Sequence, residues 1–321
     1  MNQTLAQPFR LRLAQGLCRP LPPLLAQRLR SFIYPLPLAY RDDFAFTVRS
    51  QTGSMFRSRT SDFHGYPFSV QGYYEWRNWA IARALCSAGD TIIEIGANIG
   101  TETIGFRDIV GGAGKVFAFE PLPANIRALQ QVLILNGCHN VSVLPLALGS
   151  KPGRVKFVPP DKPGASGIGH LARNPAANAG GLIEVECATL DSLATTLGAA
   201  RMIFIDAEGA ETAVLDGAKN YLARHQPVIV LEASPKLLAR AGSSLEELQR
   251  KLATHRYETF VISRFGLRPV NESQPPAAHS DNWLCLPAHK RVVLPRVRRF
   301  LFACGLLPCI ARLNPMKWAR A

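Results

Sequence analysis

Between residues 91 and 233 the chain repeats one pattern: a short, almost purely apolar run, a turn, and a stretch with helical spacing. The runs are TIIEIG (91–96), KVFAFEP (115–121), NVSVLPLALG (140–149), RMIFIDAEG (201–209) and PVIVLEA (227–233). A strand that is apolar on both faces has no wet side and must be covered twice. Such strands alternating with helices specify a parallel sheet between two helical layers, a doubly wound, Rossmann-like α/β fold. The predicted helices are TETIGFRDIV (101–110), PANIRALQQVLILNG (123–137) and AETAVLDGAKNYLARH (210–225). Ahead of them, EWRNWAIARALCSA (75–88) has apolar residues at helical spacing, with Gly89 placed to end the helix. SSLEELQRKLATH (243–255) opens with Ser243 and Glu246 in a capping-box pattern. YETFVI (257–262) and NWLCLP (282–287) are further strand candidates. Between 150 and 200 the rhythm fails, and residues 159–181, rich in Pro, Gly and Ala, read as a long loop.

Charge divides the chain differently. Residues 1–41 hold six arginines and no acid, and residues 289–321 hold eight Lys or Arg and no acid. Those two segments account for the whole net charge of +14, so residues 42–288 are neutral overall. The expected organisation is a basic Pro/Arg-rich extension (1–60), a catalytic domain (61–288) and a basic amphipathic tail (289–321). The tail combines arginines with Phe300, Phe302 and Trp318, a composition suited to peripheral contact with an anionic membrane. Its longest apolar run, residues 300–311, is well short of the roughly 20 residues that span a bilayer. Nucleic acid is not expected as a partner, because the charge avoids the neutral body and no nucleic-acid module is present. The seven cysteines form no CxxC pair. Neither a disulfide framework nor a metal site is expected, and a cytoplasmic, reducing location is the simplest.

Ligands of open parallel sheets bind beyond the carboxyl ends of the strands. The first strand ends in IEIGANIG, offering Glu94, Gly96, Asn98 and Gly100. Glycines let backbone turn tightly beside a ligand, and Asn98 is the non-glycine best suited to a positive φ. The second strand ends in Glu120, an acid placed to accept hydrogen bonds from ribose hydroxyls. Loop and acid together point to a ligand with an adenosine-like ribose, either NAD or S-adenosylmethionine. The NAD fingerprint requires glycine where this chain has Asn98 and Thr101.

The spacing E-x-G-x-x-x-G instead resembles the first motif of class I methyltransferases. GYYEW (72–76), IEIGANIGTETIGF, FAFEP, TLDSL (189–193), IFIDAEGAETAVLDGA (203–218) and PVIVLEA follow in an order and spacing that resemble the FkbM family. The resemblance covers about residues 70–287 and implies S-adenosylmethionine as cofactor. It further implies O-methylation of a hydroxyl on a sugar, glycan or secondary metabolite. Two positions depart from the family pattern: Phe204 stands where lysine is frequent, and Ala233 and Ser234 follow Glu232 where a histidine is frequent.

Asp206 and Glu208 end the fourth long run and face the same crevice as Gly96 and Glu120. Asp206 is the candidate base or acceptor-orienting residue, with Glu208 in the same cluster; loop-holding or metal binding is the plainer role for such acids. Glu211 is placed to favour the N-terminus of the following helix. His170 is a secondary candidate base on the long loop. Tyr73, Tyr74 and Glu75 are candidates to enclose the cofactor's methionine end or to pack at the domain edge. N-methylation stays open, as does a non-catalytic module that keeps the nucleotide fold and binds a partner or membrane through its basic ends.

Overall fold

The computed structural model describes residues 6–318 except 161, 163, 173–180, 265 and 271–280. Helices α1 (Phe9–Cys18), α2 (Pro23–Ile33) and α3 (Leu36–Asp42) come first, then a hairpin of β1 (Ala45–Arg49) and β2 (Met55–Arg59). Helices α4 (Gly65–Gln71) and α5 (Trp76–Leu85) lead into β3 (Thr91–Ile95), α6 (Thr103–Val110), β4 (Lys115–Phe119), α7 (Pro123–Leu135) and β5 (Val141–Leu144). A separate small sheet follows: β6 (Ala147–Leu148), β7 (Gly153–Val158), β8 (His170–Leu171) and β9 (Ile183–Ala188). The chain then returns through α8 (Ala194–Leu197), β10 (Met202–Ile205), α9 (Glu211–Asp216), α10 (Lys219–His225), β11 (Val228–Ala233), α11 (Pro235–Ala241) and α12 (Leu245–Thr254). It closes with β12 (Tyr257–Ser263), β13 (Gly266–Pro269), β14 (Asp281–Pro287) and α13 (Leu294–Leu306).

The central sheet has eight strands in the order β13-β12-β14-β11-β10-β3-β4-β5. The five strands from β5 to β11 are parallel, as the apolar runs require. The far edge is not: β14 is antiparallel to both of its neighbours, and β13 is antiparallel to β12. A parallel connection needs a crossover of a dozen or more residues, usually helical, and no helix-period segment lies between 263 and 281.

Successive side chains along the parallel strands serve opposite cores. Ile92, Met202, Phe204 and Val230 join Trp79 of α5 and Phe106 of α6. Ile93, Ile95, Ile203, Ile205 and Leu231 join Leu215, Leu222 and Leu248 on the other face. That division is the two-residue period of a strand buried twice.

Local boundaries differ from the sequence reading for identifiable reasons. Helix α5 stops at Leu85, where Cys86 turns extended, and Gly89 instead serves the turn into β3, its N–H bonding to the Val110 carbonyl. The run 140–149 divides at Pro145, so β5 joins the main sheet and β6 pairs with β9. The helix expected over 210–225 breaks at Gly217, which packs directly on the Gly149 carbonyl and Thr189. The cap of α12 is Ser244, one residue later than expected, accepting from the Glu247 N–H at 3.2 Å. The segment 159–181 read as a loop connects β7 to β9, and among its described residues only His170–Leu171 forms a strand, paired with β7; residues 161, 163 and 173–180 of it lie outside the described residues.

The two basic ends meet. Helices α1, α2 and α3 pack with Tyr66 and Val70 around Leu11, Ala14 and Tyr34. Helix α13 buries Val297, Phe300, Leu301 and Cys304 in the core that holds Trp76 and Trp79. The fully buried Asn314 amide donates to the Gln51 backbone carbonyl at 3.0 Å, while the Gln51 side-chain amide donates to the Arg19 carbonyl at 3.0 Å.

Gly105 tests the fit between α5 and α6, because a Cβ at this position would overlap the buried Trp79 ring. Gly105→Ala is expected to lower stability by about 1–3 kcal/mol through overpacking, read as a lower urea midpoint. An unchanged midpoint would show that Trp79 can shift at no cost.

Candidate active site

The site starts where β3 ends. Gly96 adopts φ +86° and lies so close to β10 that any Cβ would overlap the Asp206 carbonyl oxygen. Asn98 has φ +50°, the left-handed turn expected of it. Glu120, at the end of β4, is almost fully buried. Its two oxygens accept from the Asn98 and Leu122 N–H groups, each at 2.8 Å. Glu120 therefore fixes the glycine loop as well as facing the cavity, and its carboxylate has lone pairs left for a ligand. Gly100 does not border the cavity; it gives Leu129 of α7 room to pack beneath the loop.

The cavity holds about 630 Å³ of space free of protein atoms, its mouth included. Gly96, Asn98, Glu120, Asp206 and Glu208 border it, and Leu122, Leu146 and Phe157 give it an apolar wall. A smaller hollow adjoins it, bordered by Tyr74, Glu75, Glu94, Thr101, Glu102 and Asp206. Phe204 forms part of its floor, 5.6 Å from the Phe106 ring centre. Within the hollow, one oxygen of Glu94 and one of Glu102 lack a hydrogen-bond partner. Tyr73 lies elsewhere, in the apolar core.

The turn after β10 is held by its own acids. Glu208 has φ +52°, an uncommon conformation for a side chain of its size. Arg240 pins it, donating to its backbone carbonyl at 2.8 Å and its carboxylate at 3.3 Å. Glu211 accepts from the N–H groups of Ala207 and Gly209, so it organises the turn and does not face a ligand. Carboxylate oxygens of Asp206, Glu208 and Glu232 lie within 4.8 Å of one another, close enough to share a cation.

His64 belongs to this site and was not among the candidates. It borders both hollows, contacts the Asn98 amide at 2.9 Å and stacks on Tyr74 at 4.3 Å. Its sequence context, DFHGYP, carries no signal, because the contact depends on the turn before α4 meeting the loop after β3, 34 positions further on. His170, by contrast, pairs in the β7–β8 hairpin, and its ring contacts the Ile168 carbonyl; its neighbours Gly169 and Leu171 are the ones that border the cavity.

Desolvation dominates the titration of these groups. Burial pushes Glu94 up to about 8, with the charge of Glu120 adding to it. Burial also raises Glu120 to about 7 against the opposing N–H donors of Leu122 and Asn98. Glu208 rises to about 7 through burial and the charge of Glu232, partly offset by Arg240. Asp206 and Glu102 are held well above the carboxylate range by burial and then by neighbouring acids. Burial lowers His64, and the charge of Asp62 opposes that. A crevice with so many acids driven toward their neutral forms favours a cationic ligand.

Comparison with known proteins agrees. The Methyltransferase FkbM domain matches residues 94–259, just over half of the chain. The chain belongs to the FkbM methyltransferase family, and S-adenosylmethionine is its cofactor. No curated protein matches it. Among solved structures, the FkbM methyltransferase of Methylobacillus flagellatus KT is 14% identical, with a TM-score of 0.41, over 86% of this chain and 58% of that one. The chain thus spans under two thirds of that relative's length. Cofactor-bound Rv0187 from MTB is 16% identical, with a TM-score of 0.40, over 84% and 98% of the two chains. Fibrillarin of Aeropyrum pernix, with natively bound S-adenosyl-L-methionine, is 13% identical, with a TM-score of 0.36, over 66% and 76%.

The residues present suit this cofactor. Its sulfonium and ammonium are cations, and Glu94 and Glu102 each have an unpartnered oxygen beside the glycine loop. Cofactor binding should therefore release protons. Glu94, Glu120 and Glu208 are raised in the free protein, and a cation lowers them, so the bound state holds fewer protons. Affinity for S-adenosylmethionine is expected to rise with pH through about 7 to 8 and then level off. Calorimetry in buffers of different ionisation enthalpy checks this; heats independent of the buffer would refute it.

Proposed function

We propose that the protein transfers a methyl group to a hydroxyl of a sugar, glycan or secondary metabolite. The observation that carries this reading is the convergence of Asp206 with Gly96, Asn98 and Glu120 on one cavity. The cofactor supplies a methyl group on a sulfonium, an electrophile that needs no further activation. The chain's own task is to align the acceptor oxygen and receive its proton. Alignment contributes up to about 7–11 kcal/mol, and general-base assistance typically about 10²- to 10⁴-fold. Asp206 is the proton acceptor in this reading. A carboxylate in water is too weak a base for an alcohol, and the crevice corrects this by raising Asp206. Glu208, fixed by Arg240, holds a second acceptor hydroxyl or the shape of the turn.

In this reading the catalytic unit is residues 61–288, flanked by the basic segments 1–60 and 289–321, whose helices α1 and α13 contribute to its packing. Peripheral contact with an anionic membrane is part of the same proposal. Phe9, Leu13 and Leu17 recur every four residues on the outer face of α1 and are exposed, beside Arg10 and Arg12. Among the described residues, no helix is long and apolar enough to cross a membrane. A cytoplasmic setting suits seven cysteines that are all free thiols.

Asp206→Asn is expected to reduce turnover by about 10²-fold or more while leaving S-adenosylhomocysteine affinity within a few-fold. His64→Gln, measured beside it, should cost less and leave the pH profile of kcat in place. Full turnover by the Asp206 variant, with loss in the His64 variant, would move the proton-accepting role to His64.

A further inference from the structure

We propose that the acceptor carries a phosphate or diphosphate group, held by Arg28, Arg30, Arg77 and Arg264 in a groove next to the catalytic crevice. The proposal rests on the methyl-transfer reading of that crevice and names its acceptor class.

Two adjoining hollows make the groove, and they share Gln27, Arg30, Ser31 and Arg77. The inner one reaches Tyr74 and Glu75, which also border the small hollow beside Asp206. The outer one adds Arg28 and Arg264, with Leu25 and Leu306 at its edge. A path of contiguous lining residues thus runs from Asp206 to the four guanidinium groups.

These arginines are built in. Arg77 lies over the Trp76 ring and Arg30 over the Tyr66 ring, each 4.7 Å from the ring centre. Stacking fixes the guanidinium plane and leaves its edge donors free to point at an anion. The Nε atoms of Arg30 and Arg77 are both buried without a hydrogen-bond partner. Among the described residues, none of the four arginines is within ion-pair distance of a carboxylate. The acid beside them, Glu75, accepts from Asn282 at 2.6 Å and Asn78 at 2.9 Å. Glu75 acts on Arg77 as a nearby counter-charge and Arg264 opposes it, so four guanidinium groups line the groove against the one carboxylate of Glu75.

Such an arrangement is costly without an anion, and the guanidinium fork matches phosphate oxygens two at a time. The charge pattern also orients two substrates. Acids around Glu94 and Asp206 hold the cationic one, and the arginines hold the anionic one on the far side of Tyr74. A phosphate anchored there leaves the attached sugar to reach the crevice.

Titration calorimetry of the full chain with inorganic pyrophosphate at low ionic strength tests this, using wild type and Arg28→Gln/Arg264→Gln. Both positions are exposed, so the double variant leaves the core intact. Binding is expected to weaken by about tenfold or more in the variant, as charge-assisted hydrogen bonds are lost. S-adenosylhomocysteine affinity should be the same in both proteins. A wild type that ignores pyrophosphate, or a variant that binds it equally, overturns the proposal. Failure of the methyl-transfer reading would register separately, as a wild type that does not bind S-adenosylhomocysteine. Sedimentation with phosphatidylglycerol–phosphatidylcholine vesicles, against phosphatidylcholine alone, separates the two sources of phosphate. Pelleting with the anionic vesicles that pyrophosphate reverses and the variant loses assigns a lipid-borne phosphate. Pyrophosphate binding without such pelleting assigns a soluble phosphorylated acceptor.

Discussion

The contact between Gly96 and the Asp206 carbonyl sets the dimensions of everything around it. It brings the ends of β3 and β10 together with no side chain between them. The loop after β3 then turns toward Glu120, which clamps it through the Asn98 N–H. The turn after β10 presents Asp206 to the same space, with Glu211 and Arg240 fixing the backbone beyond it. A larger residue at 96 would part the two strand ends and separate the cofactor loop from the acid proposed to act on the acceptor.

The crevice therefore collects carboxylates where burial disfavours their charge. Glu94, Glu102, Glu120, Asp206, Glu208 and Glu211 are all raised, most of them first by desolvation and then by one another. Stability alone would not select this. A ligand with two positive centres relieves it, so the charge cost in the free protein becomes affinity in the complex. Phe204 sharpens the effect, because a lysine at that position would have offered a resident counter-charge.

The parallel half of the sheet was legible because four of its five strands, β3, β4, β10 and β11, are buried on both faces, a pattern few other folds require. The glycine loop and Glu120 were legible because their chemistry is local: a tight turn, and an acid at a strand end. What escaped was whatever depended on distant segments. His64 reaches the crevice only because the turn before α4 meets the loop after β3, and Phe157 only because β7 belongs to a second sheet. Gly100 carried the right residue type for a ligand loop but answers to Leu129. The antiparallel edge was hidden for a related reason, since NWLCLP reads as a buried strand whichever way it runs.

The basic ends were read as attachments because their charge differs from the body's, yet charge describes only their outward faces. Arg83 of α5 donates to the Met316 carbonyl across 233 positions of chain. Trp76 and its neighbours on α5 find their cover on α13, far later in the chain. Until α13 is made, a nascent chain must therefore carry a completed run of parallel strands with one apolar helix face still open to solvent or to a chaperone. Helix α13 acts as the closing panel of the catalytic core, so its removal would be felt first in folding yield.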